Sequence, residues 1–217
     1  DPTLPSGRRQ TITLKDLTAL DLFGYRIRPV GNSRPAINSL KADLNGERLM
    51  LSGTSTDADG DILQVQLKLI DGKGVAIAET VPFAADFGIP EKLQFAIPFA
   101  NMDLFPSAVK AGLTLIDSRG NKSETVIADF SKADEGGPKL KNASFKADKL
   151  TAKVKQMKGD VQVEINGLIV APPASFEVKG KKLTMRGQAE HLNLRMGANR
   201  IRVICNGLRS NLFVMEL

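Results

Sequence analysis

Between Ile62 and Ile70 the chain alternates. Leu63, Val65, Leu67 and Leu69 take every second position, with Gln64, Gln66 and Lys68 between them. A period of two puts one set on each face of a pleated strand, so this run predicts a strand with one buried face. Asp71-Gly72-Lys73-Gly74 has turn chemistry, and Val75–Thr80 predicts the returning partner. Glu47–Gly53, Leu93–Ile97, Gly112–Ile116 and Thr125–Phe130 predict further strands. The proline-bearing apolar stretches Phe83–Pro90 and Phe99–Pro106 read as loops packed over the core.

After Phe130 the pattern stops. Ser131-Lys132-Ala133-Asp134-Glu135-Gly136-Gly137-Pro138 is polar, aperiodic and broken by Gly-Gly-Pro, the composition of a boundary. Strand patterning then resumes. Asn166-Gly167 and Asn206-Gly207 are hairpin signals, because a type I′ turn needs positive φ at both central residues. They predict pairing of Val161–Ile165 with Leu168–Val170, and of Arg200–Cys205 with Leu208–Met215. Only the beginning of the chain has helical spacing. Leu14, Leu17, Leu20 and Phe23 fall near one face, Thr13 is a suitable N-cap, Asp16 suits the helix dipole and Gly24 suits the end. A helix of about ten residues is marginal alone, so its stripe needs a surface to pack on.

About seven short strands per hundred residues, separated by turns, is the pattern of an immunoglobulin-like sandwich. The expected fold is therefore all-β: two tandem immunoglobulin-like β-sandwiches with a short N-terminal helix. The expected divisions are 1–35 for the N-terminal segment, 36–131 for the first sandwich, 132–137 for a linker and 138–217 for the second. No residue-level repeat relates the two halves.

Composition supports a globular chain. Of 217 residues, 42% are hydrophobic and 25% charged. No apolar run approaches the roughly 20 residues that span a bilayer, so no transmembrane segment is expected. Nor does Asp1 open a basic-then-apolar leader, which places any signal peptide outside this sequence. Charge changes the picture more. From Pro138 onward fifteen Lys and Arg face six Asp and Glu, whereas the preceding residues hold fifteen against eighteen. A basic half could meet acidic polysaccharide, anionic membrane or nucleic acid, or be a face solvated by lysine. With no tryptophan and one tyrosine, a base-stacking surface is not expected, and nucleic acid is set aside as a partner.

Near the N-terminus Asp1-Pro2-Thr3-Leu4, Arg9, Thr11-Ile12-Thr13, Asp16, Ala19-Leu20-Asp21 and Phe23-Gly24-Tyr25 stand in an order that resembles the tail of bacterial matrixin-like (metzincin) zinc proteases. The resemblance covers about 28 residues. It implies a Met-turn methionine just before Asp1 and the zinc-binding H-E-x-x-H-x-x-G-x-x-H helix further upstream. Zinc would then belong only to that upstream domain, because this chain has a single histidine, His191. The lines Gly159–Gly167 and Leu194–Val203, with Asn206-Gly207 and Ser210-Asn211, make the last 80 or so residues similar to compact immunoglobulin-like modules of the IPT/TIG type.

One loop is a candidate metal site. Ser55-Thr56-Asp57-Ala58-Asp59-Gly60-Asp61 spaces three carboxylates around a glycine, as calcium requires, and resembles loops of bacterial cadherin-like repeats. Asp57, Asp59 and Asp61 are its ligand candidates. As an EF-hand it fails, since Gln66 occupies the place of the closing glutamate. Asp and Gly also make ordinary turns, which is the competing reading. Cys205 shares a strand face with Ile201 and Val203 and reads as a small buried hydrophobe. No nucleophile elbow, phosphate loop or catalytic cluster is present in the sequence.

The sequence thus predicts non-catalytic accessory, binding or spacer modules of a secreted or cell-surface bacterial protein, extracellular or periplasmic. They would be monomeric and directed at extracellular protein or polysaccharide, with no resident cofactor other than the candidate calcium. Two other readings stay open: the exosite-bearing C-terminal part of a zinc metalloprotease, and a calcium-dependent adhesion module.

Overall fold

The computed structural model describes residues 33–58, 60–84, 93–170 and 176–217. The alternating run after residue 62 forms β3 (Ile62–Asp71). Around it lie β1 (Ala36–Asn45), β2 (Arg48–Thr56), β4 (Ala76–Glu79), β5 (Phe83–Ala84), β6 (Leu93–Phe99), β7 (Ala108–Asp117) and β8 (Val126–Asp129). One sheet has the order β1-β2-β6. The other has the order β4-β3-β7-β8, with β5 also on β3. Pairing β2 with β6 in one sheet and β3 with β7 in the other is the Greek-key arrangement of an immunoglobulin-type sandwich.

The second half repeats this plan. Its strands are β9 (Lys139–Phe145), β10 (Lys149–Lys155), β11 (Val161–Ile165), β12 (Leu168–Val170), β13 (Phe176–Lys179), β14 (Lys182–Arg186), β15 (Ala198–Cys205), β16 (Leu208–Arg209) and β17 (Phe213–Glu216). They form sheets ordered β13-β14-β10-β9 and β12-β11-β15-β16, with β17 also on β15. The fold is all-β, two immunoglobulin-like sandwiches in tandem. The expected N-terminal helix lies outside the described residues, as does most of Phe83–Pro90.

Each sandwich closes on its own apolar cluster. Leu49 and Leu51 of β2 meet Val65, Leu67 and Leu69 of β3 and Leu113 and Leu115 of β7 in the first. Leu150, Val154, Ile165, Leu183, Met185, Ile201 and Val203 fill the second. Each such leucine or isoleucine contributes roughly 1.5–3 kcal/mol by leaving water. The first cluster also takes in Leu212, which follows β16, and the partly buried Val214 of β17. The second sandwich therefore supplies apolar surface to the core of the first.

Several local expectations change. Leu63 is 52% exposed, and Ile62 is buried in its stead. A register irregularity between Ile62 and Gln64 shifts the pleat by one residue, which flips the end of the strand. Leu208–Met215 is two strands rather than one. Ser210 Oγ accepts the Val203 N–H at 2.9 Å, and Asn211 exchanges two bonds with the Leu140 main chain at 2.9 and 3.0 Å. These side chains satisfy backbone groups that a continuous ladder would otherwise pair. Both Asn-Gly turns do have the expected backbone, with φ of 50° and 85° at Asn166 and Gly167 and of 50° and 81° at Asn206 and Gly207. In the apolar stretch after β6, Met102–Leu104 is a 3-10 turn with Met102 wholly buried in the first core. Residues 132–137 contain no strand, but Asp134 ties them to β16. Its carboxylate accepts the Arg209 N–H at 2.7 Å, while its own N–H bonds the Arg209 carbonyl at 3.0 Å.

Candidate functional site

Two places gather polar chemistry. The first is the acidic loop between β2 and β3. Asp57 Oδ2 accepts the Asp61 N–H at 2.9 Å, and the Asp57 carbonyl accepts the Gly60 N–H at 3.2 Å, so the aspartate closes the turn around itself. Asp61 is tied to the turn after β7. Its carbonyl accepts the Ser118 N–H at 2.9 Å and its Oδ2 accepts the Ser118 hydroxyl. Asp59 lies outside the described residues. Among the described residues no three His, Cys, Asp or Glu side chains are grouped so as to hold a metal ion.

Calcium binding only to the folded state would raise stability by mass action, by about 2.7 kcal/mol at a hundredfold excess over Kd. Since Asp57 and Asp61 already serve the loop, millimolar calcium is expected to raise Tm no more than magnesium does. A calcium-specific rise abolished by Asp59→Ala would overturn that expectation.

The neighbouring turn contains a carboxylate that the sequence did not single out. Asp117 is buried, and its Oδ1 accepts the N–H groups of Arg119 and Asn121, both at 2.8 Å. Its Oδ2 accepts the Asn121 side-chain amide at 2.7 Å. Burial pulls this carboxyl upward. The Asn121 side chain and the main-chain N–H groups of Asn121, Arg119 and Gly120 outweigh that effect and hold it below the ordinary range. A carboxyl lowered in the folded state binds its proton more readily when unfolded. Its stabilisation is therefore present above the unfolded value near pH 4 and fades as pH falls through the lower, folded value. Urea midpoints measured from about pH 5 to pH 2 should fall less steeply for Asp117→Asn than for the unaltered protein. Parallel curves would remove Asp117 from the acid response.

The second place is the junction between the sandwiches. β15 alternates Ile201, Val203 and Cys205, which face the second core, with Arg200, Arg202 and Ile204. In solvent that second set would be an ordinary outer face, yet Arg200 is 2% and Arg202 3% exposed. The end of the first sandwich covers Arg202, while neither terminal nitrogen of Arg200 has a hydrogen-bond partner among the described residues. Arg202 Nη1 donates to the Leu44 carbonyl at 3.3 Å, and its Nη2 donates to the Phe130 carbonyl. These acceptors lie near the end of β1 and just beyond β8. Glu164 stands opposite Arg202 on the paired strand β11 and is itself buried, so cation and carboxylate share the site. Burial lowers the Arg202 guanidinium from its usual range, while the Glu164 charge works against that shift. The same holds at Arg200, where burial comes first, Arg195 adds repulsion, and Glu164 and Asp103 oppose both.

Arg209 extends the contact outward. Its Nη1 lies 3.4 Å from the Leu44 carbonyl and 3.5 Å from an Asp43 carboxylate oxygen, and its Nη2 donates to Asn45 Oδ1 at 3.0 Å. Asp43 is largely exposed in this pair, so the pair contributes little. Close packing of main chains completes the seam. A Cβ on Gly167 would stand 2.7 Å from Gly46 backbone atoms, so the β11–β12 turn reaches the β1–β2 turn this closely only because residue 167 is glycine. A shallow groove of roughly 710 Å³ runs beside the seam, lined among others by Asp43, Asp129, Asp134 and Arg209.

Sequence reasoning passed over this cluster. Its one available signal was the Arg200-x-Arg202 alternation against Ile201-x-Val203, and that spacing does not reveal what covers an outer face. Cys205 is buried as expected, and burial pushes its thiol up from the ordinary value, away from a reactive thiolate. His191 is exposed in the 3-10 turn Glu190–Leu192.

No known family model matches the sequence, and no match is found among curated proteins. Solved structures with a similar arrangement include native α2-macroglobulin from Escherichia coli, spanning domains MG0-NIE-MG1. It has 9% identity over 88% of this chain and 64% of that chain, with a TM-score of 0.30. The I9–I11 tandem from titin has 14% identity over 83% of this chain and 63% of that chain, with a TM-score of 0.22. The chain thus spans less than two thirds of either structure.

Proposed function

We propose that this chain is a non-catalytic accessory unit, a pair of sandwiches locked at a fixed angle that positions or presents a neighbouring part of a secreted or cell-surface protein. The observation that carries the reading is the junction itself. A flexible tether between two sandwiches needs no buried guanidinium. Here Arg202 crosses the seam to two main-chain carbonyls, Glu164 shares its burial, and Leu212 with Val214 enters the apolar core of the first sandwich. Burying charge is costly unless geometry and hydrogen bonds compensate, so such a cluster suits a position where orientation matters more than stability alone.

Calorimetry tests the proposal. Two sandwiches that share a buried seam should unfold in one cooperative transition with matching calorimetric and van't Hoff enthalpies. Two separate transitions for the unaltered chain would reduce the junction to a loose contact. The metalloprotease-exosite reading rests on residues 1–28, all outside the described residues, and the adhesion reading rests on the calcium test given above.

A further inference from the structure

The second sandwich has two outer faces. One is partly covered at the junction, and the other, the outside of β13-β14-β10-β9, is open and cationic. On β10 the inward Leu150, Ala152 and Val154 leave Lys149, Thr151, Lys153 and Lys155 pointing out. Cross-strand register then puts like charges directly opposite one another. Lys149 faces Arg186, Lys153 faces Lys182, Lys182 in turn faces Lys179, and Lys155 faces Lys139. Directly opposed like charges destabilise a sheet, and here four such pairs lie on one face. Glu177 is the only carboxylate at an outward position of these strands, and it is engaged by Lys179. A face solvated merely for solubility would mix both signs. This one forgoes stability to concentrate a single sign.

We infer that this face binds a linear acidic polysaccharide, carboxylated or sulfated, along its rows of lysine. Neighbouring strands are about 4.8 Å apart and same-face residues along a strand about 6.8 Å apart, so the cations form a regular two-dimensional array. Between them Thr151, Ser144 and Asn142 offer neutral hydroxyl and amide groups suited to sugar hydroxyls. The outward positions hold no aromatic ring on which a nucleobase could stack, and no apolar side chain that could enter a bilayer. Lysine outnumbers arginine on the face, giving mobile point charges that follow a flexible chain of anions.

The inference goes beyond the spacer reading, and its test does not touch the junction. Binding to immobilised heparin and polygalacturonate, with neutral dextran as blank, would be measured at low and moderate salt. The unaltered chain should bind both acidic polymers and release them as salt rises. Lys153→Gln/Lys155→Gln/Lys182→Gln should weaken binding about 10- to 100-fold, as a local loss of field requires. The same variant should raise Tm by about 1–3 °C through relief of repulsion. Glu177→Gln should tighten binding about threefold by removing the one opposing charge. A control with equal charge loss on the first sandwich, Lys73→Gln/Arg119→Gln/Lys122→Gln, should bind like the unaltered chain. No binding to either polymer would overturn the assignment, as would equal loss in the control. Tighter binding to duplex DNA or to phosphatidylserine vesicles than to the polysaccharides would overturn it in favour of those partners.

Discussion

Arg202→Ala is expected to cost about 3–5 kcal/mol and to split unfolding into two steps, because it removes one member of a buried charge cluster and leaves the others in place. The Phe130 carbonyl loses its donor, the Leu44 carbonyl keeps only Arg209 at 3.4 Å, and Glu164 stays buried without the cation opposite it. Each unsatisfied buried polar group costs about 1–3 kcal/mol, so two such groups, one of them a charge, account for the total. Arg202→Lys should recover only part, since an ammonium lacks the planar fork that reaches two carbonyls at once. The measurement is a denaturant melt followed by calorimetry. A loss under about 1 kcal/mol with unfolding still in one step would mean that apolar contact alone holds the seam.

The second large effect is expected at Asn199. Its side chain is wholly buried and makes four bonds. Oδ1 accepts the Arg195 N–H at 2.9 Å and the Asn166 amide at 3.0 Å, while Nδ2 donates to the Arg195 and Gly197 carbonyls at 2.7 and 2.9 Å. The network continues, since Asn166 Oδ1 accepts the Arg200 N–H at 2.9 Å and Asn193 Nδ2 donates to the Ile165 carbonyl at 2.7 Å. These amides replace a backbone ladder where the chain turns into β15. Asn199→Ala should therefore cost about 3–4 kcal/mol, near the upper range for single substitutions, through loss of a buried network. Asn199→Asp should be no better, because a carboxylate cannot donate to the two carbonyls. A urea midpoint unchanged in Asn199→Ala would show that the loop is held by other contacts.

Much of the architecture was legible in the sequence, for physical reasons. Where one face is buried and the strand is regular, as at Val65, Leu67 and Leu69, a period of two is imposed on the chain and can be read back. Asn166-Gly167 and Asn206-Gly207 announced their turns because few other pairs tolerate positive φ at both positions. The misses occur where register is interrupted. Leu63 is turned outward by a bulge, and the break at Ser210–Leu212 depends on side chains that reach Val203 and Leu140, contacts that no local pattern encodes. β1 hides its pattern in the same way, through an irregularity between Ile37 and Ser39. The junction was illegible for a different reason. Arg202 looks like a solvent-facing residue of an amphipathic strand, and the arrival of Leu44 and Phe130 makes it interior.

The acidic loop shows the opposite limit. Asp57, Asp59 and Asp61 carry the residue types of a metal site, but composition cannot say whether a carboxylate faces a cation or its own backbone. In the structure Asp57 closes its turn and Asp61 holds Ser118. The excess of basic residues after Pro138 was visible as a number, whereas its concentration on one sheet face required the pairing of β9, β10, β13 and β14.

The central claim is that the two sandwiches form one oriented body, and residual dipolar couplings test it most directly. Backbone N–H couplings from β2, β3 and β7 and from β10, β11 and β15, measured in one alignment medium, should fit a single alignment tensor with the relative orientation given by the structure. Arg202→Ala should require two tensors. Two tensors of different magnitude in the unaltered chain would contradict the account, because they would show the sandwiches reorienting across the seam.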